Sequence, residues 1–178
     1  MLPLVGNAKG GAIAKGDSTF RVLGIDPGSH VTGYGVVENA RGGLCHVMHG
    51  EIRPGRGATL TVCLQTIYDD LCEVIRRSVP DALVIEDIFY GKNVRSLIRQ
   101  GHCRGVAILV GKQRGIAVYE YSPLEIKKAV VGYGRAEKAQ VQQMAKAILK
   151  LPELPPPDAA DALAVAICHI NFRKAESI

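Results

Sequence analysis

Tryptophan is absent from the 178-residue chain and aromatic residues make up only 5% of it. Any core must therefore be packed from Val, Ile, Leu and Ala. No Cys-x-x-Cys pair occurs among the five cysteines, at 45, 63, 72, 103 and 168. That excludes a zinc knuckle and gives no disulfide framework, so reduced, mostly buried thiols of a cytoplasmic protein are expected. His46 and His49 are spaced His-x-x-His but fall in a strand-like stretch, where a metal role is not expected. No apolar run approaches the roughly 20 residues that span a bilayer, so no membrane partner is expected. The opening MLPLVGNAKGGAIAKGDST lacks a continuous apolar segment and makes a poor signal peptide. Residues 1–19 read as a flexible extension or the product of an early start codon.

What is present fits one domain, placed at 20–174 with a short tail at 175–178. A chain of this size buries roughly 70% of its unfolded surface. The net charge of +5 and pI near 9.0 lean towards polyanionic partners, although the distribution of charge matters more than its sum.

Apolar alternation predicts strands over 20–26, 33–38 and 44–53, an antiparallel meander by their short connections. Leu60, Leu64, Ile67, Leu71, Val74 and Ile75 recur at helical spacing within 58–78. The wholly apolar Ala82-Leu83-Val84-Ile85 reads as a buried parallel strand. A helix capped by Asn93 and running to about Lys112 follows, then a strand over 116–121. Ser122-Pro123-Leu124-Glu125 is a capping box with proline at the first helical position. Helices to Val131, over 136–149 and over 158–173 complete the chain, the last two joined by a proline-rich connector. The order gives an α/β fold, a five-stranded mixed sheet with helices on both faces.

Asp26 ends the first strand and Glu86 the fourth, while Asp158-Ala159-Ala160-Asp161 puts two carboxylates on one face at a helix start. Each acid alone has an ordinary reading. Asp26 before Pro-Gly can close a turn, Glu86 can sit at a solvated edge, and Asp158 and Asp161 can cap their helix. All four fall at element ends of one sheet, the place where α/β proteins build sites. Carboxylates gathered there repel one another unless a cation joins them. Hard oxygen donors suit Mg²⁺ or Mn²⁺, and ions about 3.5–4 Å apart are the usual arrangement for phosphodiester cleavage.

Between Ile88 and Tyr119 there is no acid, only Lys92, Arg95, Arg99, Arg104, Lys112 and Arg114. Continued helically, Lys92, Arg95, Arg99 and His102 share a narrow arc. Such a face is either a solvated surface or a track for a phosphate backbone. Lys127, Lys128, Arg135, Lys138, Lys146 and Lys150 form a second basic set. Phe89 and Tyr90 follow Glu86 in a loop, as a lid on the core or as stacking platforms for bases.

LGIDPGSHVTGYGVV, VIEDIFYGKN, RGVAI, VVGYGRAEKAQVQ and DAADALAVAICH, in that order, resemble the RuvC family of Holliday junction resolvases. The resemblance runs from about Arg21 to Phe172. It implies a ribonuclease H-like fold, a homodimer, and Mg²⁺-dependent cleavage of four-way DNA junctions leaving 5′-phosphate and 3′-hydroxyl ends. It further implies a metal site, two ions per active site, made by Asp26, Glu86, Asp158 and Asp161. Phe89 matches an aromatic associated with the junction core, and Lys127 and Lys138 match basic residues that meet DNA or steady the transition state. A branch-migration motor is the implied partner.

Rivals remain beside this reading. Asp26-Pro27-Gly28-Ser29 also resembles the nucleotide loop of sugar kinases and actin-like ATPases, but those need a duplicated domain and a second motif that this sequence lacks. A ribonuclease H-like nuclease acting on structured RNA would keep the same acids, as would a junction-binding module that had lost catalysis.

Overall fold

The computed structural model describes residues 19–87 and 93–176. The expected extension therefore lies almost entirely outside the described residues, as do Phe89, Tyr90 and Lys92.

Strands β1 (Phe20–Asp26), β2 (Thr32–Ala40) and β3 (Gly43–Ile52) form the antiparallel meander. Helix α1 (Leu60–Ser78) leads into β4 (Ala82–Glu86), and α2 (Val94–Gln113) into β5 (Ala117–Tyr121). Helices α3 (Pro123–Val131), α4 (Lys138–Leu149) and α5 (Pro157–Glu176) complete the order. The sheet order is β3-β2-β1-β4-β5, with β4 parallel to both its neighbours. The expected fold class is the observed one.

Strand alternation divides the core. Leu23, Ile25, Val36, Leu83 and Ile85 face α1 and α2, packing on Ile67, Leu71, Ala107 and Val110. Val22, Val37 and Val84 face α3, α4 and α5. Helix α5 is buried at every position from Ala162 to Ile170, so it is a core helix rather than an amphipathic surface one. Its alanines let its backbone lie directly on the sheet. A Cβ on Gly24 of β1 would collide with the Ala162 carbonyl, and one on Gly33 of β2 with the Asp158 carbonyl.

The caps are as the sequence predicts. Ser122 and Glu125 form the capping box of α3, and the Asn93 side chain accepts from the Ser96 N–H at 3.2 Å. Several boundaries move. Thr59 caps α1, so that helix starts at Leu60; Glu137 and Gln140 form the box that starts α4 at Lys138 rather than Ala136. The last helix continues to Glu176, beyond the expected end near Arg173. Helix α2 starts at Val94 and carries Arg95, Arg99 and His102 of the expected arc, while Lys92 lies outside the described residues. In β3 the register shifts between Val36 and Val37, leaving Val47 unpaired. That bulge turns His46 and His49 to the same side, where Nε2 and Nδ1 lie 2.8 Å apart.

Candidate metal centre and nucleic-acid interface

The site is assembled from strand ends and one helix start. β1 and β4 pair in parallel with Ile25 opposite Ile85, so Asp26 and Glu86 emerge side by side at the same end of the sheet. Pro27 and Gly28 then turn the chain away, and Thr32 closes the loop: its hydroxyl donates to the Gly28 carbonyl at 2.8 Å. Gly24 and Asp26 point to the same face of β1, the face that α5 covers.

Helix α5 begins at Pro157, behind Pro156. Asp158 is therefore inside the first turn, not the cap, and the capping reading of Asp158 and Asp161 falls away. Because Gly33 lets the Asp158 backbone touch the sheet, the two acids are brought to Asp26. Carboxylate oxygens of Asp26, Asp158 and Asp161 all lie within 4.8 Å of one another, the one such metal-compatible group among the described residues. Glu86 borders this trio.

The electrostatics agree with the geometry. Burial pushes the Asp26 carboxyl up to about 7, helped by the charges of Glu86, Asp161 and Asp158. Burial likewise pushes Glu86 up to about 7, with Asp161 adding to it. Asp161 is raised too, because burial outweighs its contact with Lys138. Lys138 Nζ stands 2.7 Å from Asp161 Oδ2 and 3.5 Å from Asp158 Oδ1. Burial alone would lower the Lys138 pKa, but the hydrogen bond and charge of Asp161 hold it above its ordinary value. One ammonium thus offsets part of a cluster that still carries excess negative charge.

Two concavities flank the acids. A cavity of about 210 Å³ is lined by Glu86, Asp161, Lys127 and Lys138 over an apolar floor that includes Ile126 and Val141. A groove of about 570 Å³ runs between the Pro27–His30 loop and the start of α2, where Arg95 and Arg99 line it. Ser29 and His30 also line this groove; their position directly after Asp-Pro-Gly was the signal available for them in sequence.

The long acid-free stretch is not one continuous field. Arg104 is paired with Glu120 at 2.6 Å and Asp87 at 3.3 Å. Lys112 and Arg114 lie at the far end of α2, more than 20 Å from Arg95 by helix rise, at about 1.5 Å per residue. Among the described basic residues of this stretch, Arg95 and Arg99 are the ones that line the groove beside the Asp26 loop. The His46–His49 pair is half-buried, and burial pushes His46 down to about 4 and lowers His49 as well.

Carboxylates from adjacent parallel-sheet strand ends and from a core helix crossing that sheet define a ribonuclease H-like nuclease. A family model described as crossover junction endodeoxyribonuclease RuvC matches residues 22–169. This chain belongs to the RuvC family. It is 48% identical over 152 residues to the crossover junction endodeoxyribonuclease RuvC of Geobacter metallireducens, covering 85% of this chain and 93% of the relative. The corresponding protein of Syntrophotalea carbinolica is 51% identical over 152 residues, with 85% and 94% covered. Among solved structures, Thermus thermophilus RuvC in complex with Holliday junction substrate superposes with a TM-score of 0.82 at 29% identity, covering 89% of this chain and 97% of that one.

Proposed function

We propose that this chain is a structure-specific endonuclease that resolves four-way DNA junctions by paired, symmetrical, metal-dependent nicks in recombination and repair. The observation that carries the reading is the convergence of Asp26, Asp158 and Asp161 beside Glu86, in a chain that matches junction endonucleases along nearly its whole folded length.

The residues fit a divalent ion. The donors are all carboxylate oxygens, which suits Mg²⁺ with Mn²⁺ as a substitute. Burial first, and neighbouring carboxylates after it, raise Asp26 and Glu86 to about 7, a cost that a bound cation would relieve. Asp26, Glu86, Asp158 and Asp161 would hold the metal, two ions per site being the usual number for this chemistry. Once bound, the metal supplies an activated water and stabilises the departing 3′ oxygen.

The rest falls to the chain's own groups. Lys127 and Lys138, which line the cavity with Glu86 and Asp161, would bind the non-bridging oxygens of the scissile phosphate and offset charge built up in the transition state. Water attack forms the new P–O bond as the bond to the 3′ oxygen breaks, leaving 5′-phosphate and 3′-hydroxyl ends. Arg95 and Arg99 line the groove on the other side of Asp26 and would fix the backbone through phosphate contacts. Phe89 and Lys92 keep their proposed roles at the junction core and on the DNA backbone.

Two matching nicks need two sites related by a two-fold axis, which a homodimer supplies. Coupling to a branch-migration motor in the cytoplasm completes the proposal. Among the described residues no helix is long and apolar enough to cross a membrane.

The deciding assay offers a labelled four-way junction, a matched duplex and a structured RNA, with Mg²⁺ and with chelator. Paired cuts confined to the junction and lost on chelation are expected. Cleavage of RNA alone would instead assign the chain to RNA processing.

A further inference from the structure

The turn that joins α3 to α4 is built to present one aromatic ring. Gly132 caps α3 at φ 95°, and its N–H donates to the Lys128 carbonyl at 3.0 Å. A side chain at Gly134 would collide with Leu124, and the Lys128 chain passes 3.7 Å from that same point. The turn is thus pressed back onto the first turns of α3, and Gly134 is the residue that permits the contact. Tyr133, held between the two glycines, is 47% exposed, and Leu124 beside the turn is 51% exposed. A half-exposed ring on a capped, closely seated turn is a stacking surface held in place before any partner arrives.

Location and charge say what covers it. The stretch of α3 that seats this turn also sends Pro123, Ile126 and Lys127 into the cavity with Glu86 and Asp161. Lys128 and Arg135, before and after Tyr133 in sequence, are exposed. The two acids of this segment are engaged in caps, where the Glu125 carboxylate accepts from the Ser122 N–H at 2.8 Å and Glu137 serves the box that starts α4, and Lys127, Lys128, Arg135 and Lys138 outnumber them. What faces solvent is a half-exposed ring in a segment where cations outnumber acids. That arrangement suits a nucleotide, with its base on the ring and its phosphates on the basic chains. An acidic protein would satisfy the cations but leave the ring's demand for a flat apolar partner unmet.

We infer that Tyr133, with Lys128 and Arg135, forms a nucleobase-stacking subsite for the cleaved strand, next to the scissile phosphate. The inference rests on the nuclease reading above. A paired base cannot reach the ring, but one freed at the exchange point of a junction can, because unstacking is cheapest where pairing is already interrupted.

Junctions carrying 2-aminopurine at successive positions around the cut are bound to the full chain in chelator, and the same sites are then cut in Mg²⁺. The expected result is strong quenching at one position with the wild type and with Tyr133→Phe. Tyr133→Leu, similar in apolar bulk but without a π face, is expected to lose it, with cleavage slowed about tenfold, an ordinary stacking contribution. Unchanged quenching in Tyr133→Leu, or equal loss in Tyr133→Phe, overturns the subsite. Melting curves check that the variants fold. If Tyr133→Leu unfolds, the decision passes to photocrosslinking of the wild type to 5-iodouracil at the same positions: an adduct on Tyr133 supports the subsite, and adducts only elsewhere overturn it. A wild type that cuts no junction at all defeats the nuclease reading instead.

Discussion

Asp26 sits where the chain can least easily hold a charge. It is pushed up to about 7 by burial and then by Glu86, Asp161 and Asp158, so in cation-free protein it is only partly ionised at neutral pH. Asp26→Asn removes one ligand and one repelling charge together. Cleavage should fall by at least a thousandfold, while junction affinity stays within about threefold because phosphate contacts carry it; gel shift and single-turnover cleavage separate the two. Lys127 lines the same cavity without touching the trio in the manner of Lys138. Lys127→Ala should slow cleavage by about ten- to a hundredfold, as for one lost transition-state contact, and leave Mg²⁺ affinity, read by calorimetry, unchanged. The acids were legible as residues because each ends or begins an apolar run. The state of Arg104 was not, since its partners Asp87 and Glu120 lie 17 and 16 positions away in sequence.

At the scale of elements, α5 is what turns separate acids into one cluster. The periodicity of its apolar residues revealed the helix, but not that its backbone would lie on β1 and β2 through Gly24 and Gly33. A glycine in a strand reads the same whether it marks a bend or a contact. Nor did the spacing show that the Pro156-Pro157 pair would start the helix a residue early and deny Asp158 its cap. The bulge in β3 is another silent feature: without it, residues three apart on a strand face opposite ways, and His46 would not meet His49. Gly33→Ala tests the seating directly. Its methyl group would strike the Asp158 carbonyl and lift the start of α5. The protein should lose about 1–3 kcal/mol of stability, the usual overpacking cost. Its Mg²⁺ affinity should drop at least tenfold, and a variant that binds Mg²⁺ normally would show that α5 need not touch the sheet there.

For the whole molecule, the raised acids link folding to pH and to metal. Unfolded, these carboxyls titrate near 4; folded without metal, Asp26 and Glu86 titrate near 7. Between those values the folded state holds more protons, so stability falls as pH rises from about 4 to 7 and then levels off. Cation-free protein should therefore melt roughly 5–10 °C lower at pH 8 than at pH 5. Saturating Mg²⁺ should recover most of that loss at pH 8 and little at pH 5, as calorimetry can show, because binding needs the carboxylates ionised. A melting point that is flat across this range would mean that the cluster is neutralised in some other way. The fold class and sheet order were readable from the succession of meander, helix, strand, helix and strand, since short connections and right-handed crossovers leave few alternatives.

Helix α5 is also the last of the described elements, and it carries both the central core and two of the four acids. A ribosome emitting this chain releases Asp26 and Glu86 early, on a sheet whose inner face is still bare. Until the whole of α5 has emerged and docked, the fragment has neither a closed interior nor a complete ligand set. A product stalled before α5 thus lacks both core and acids, and the power to cut DNA arrives only once that helix has docked.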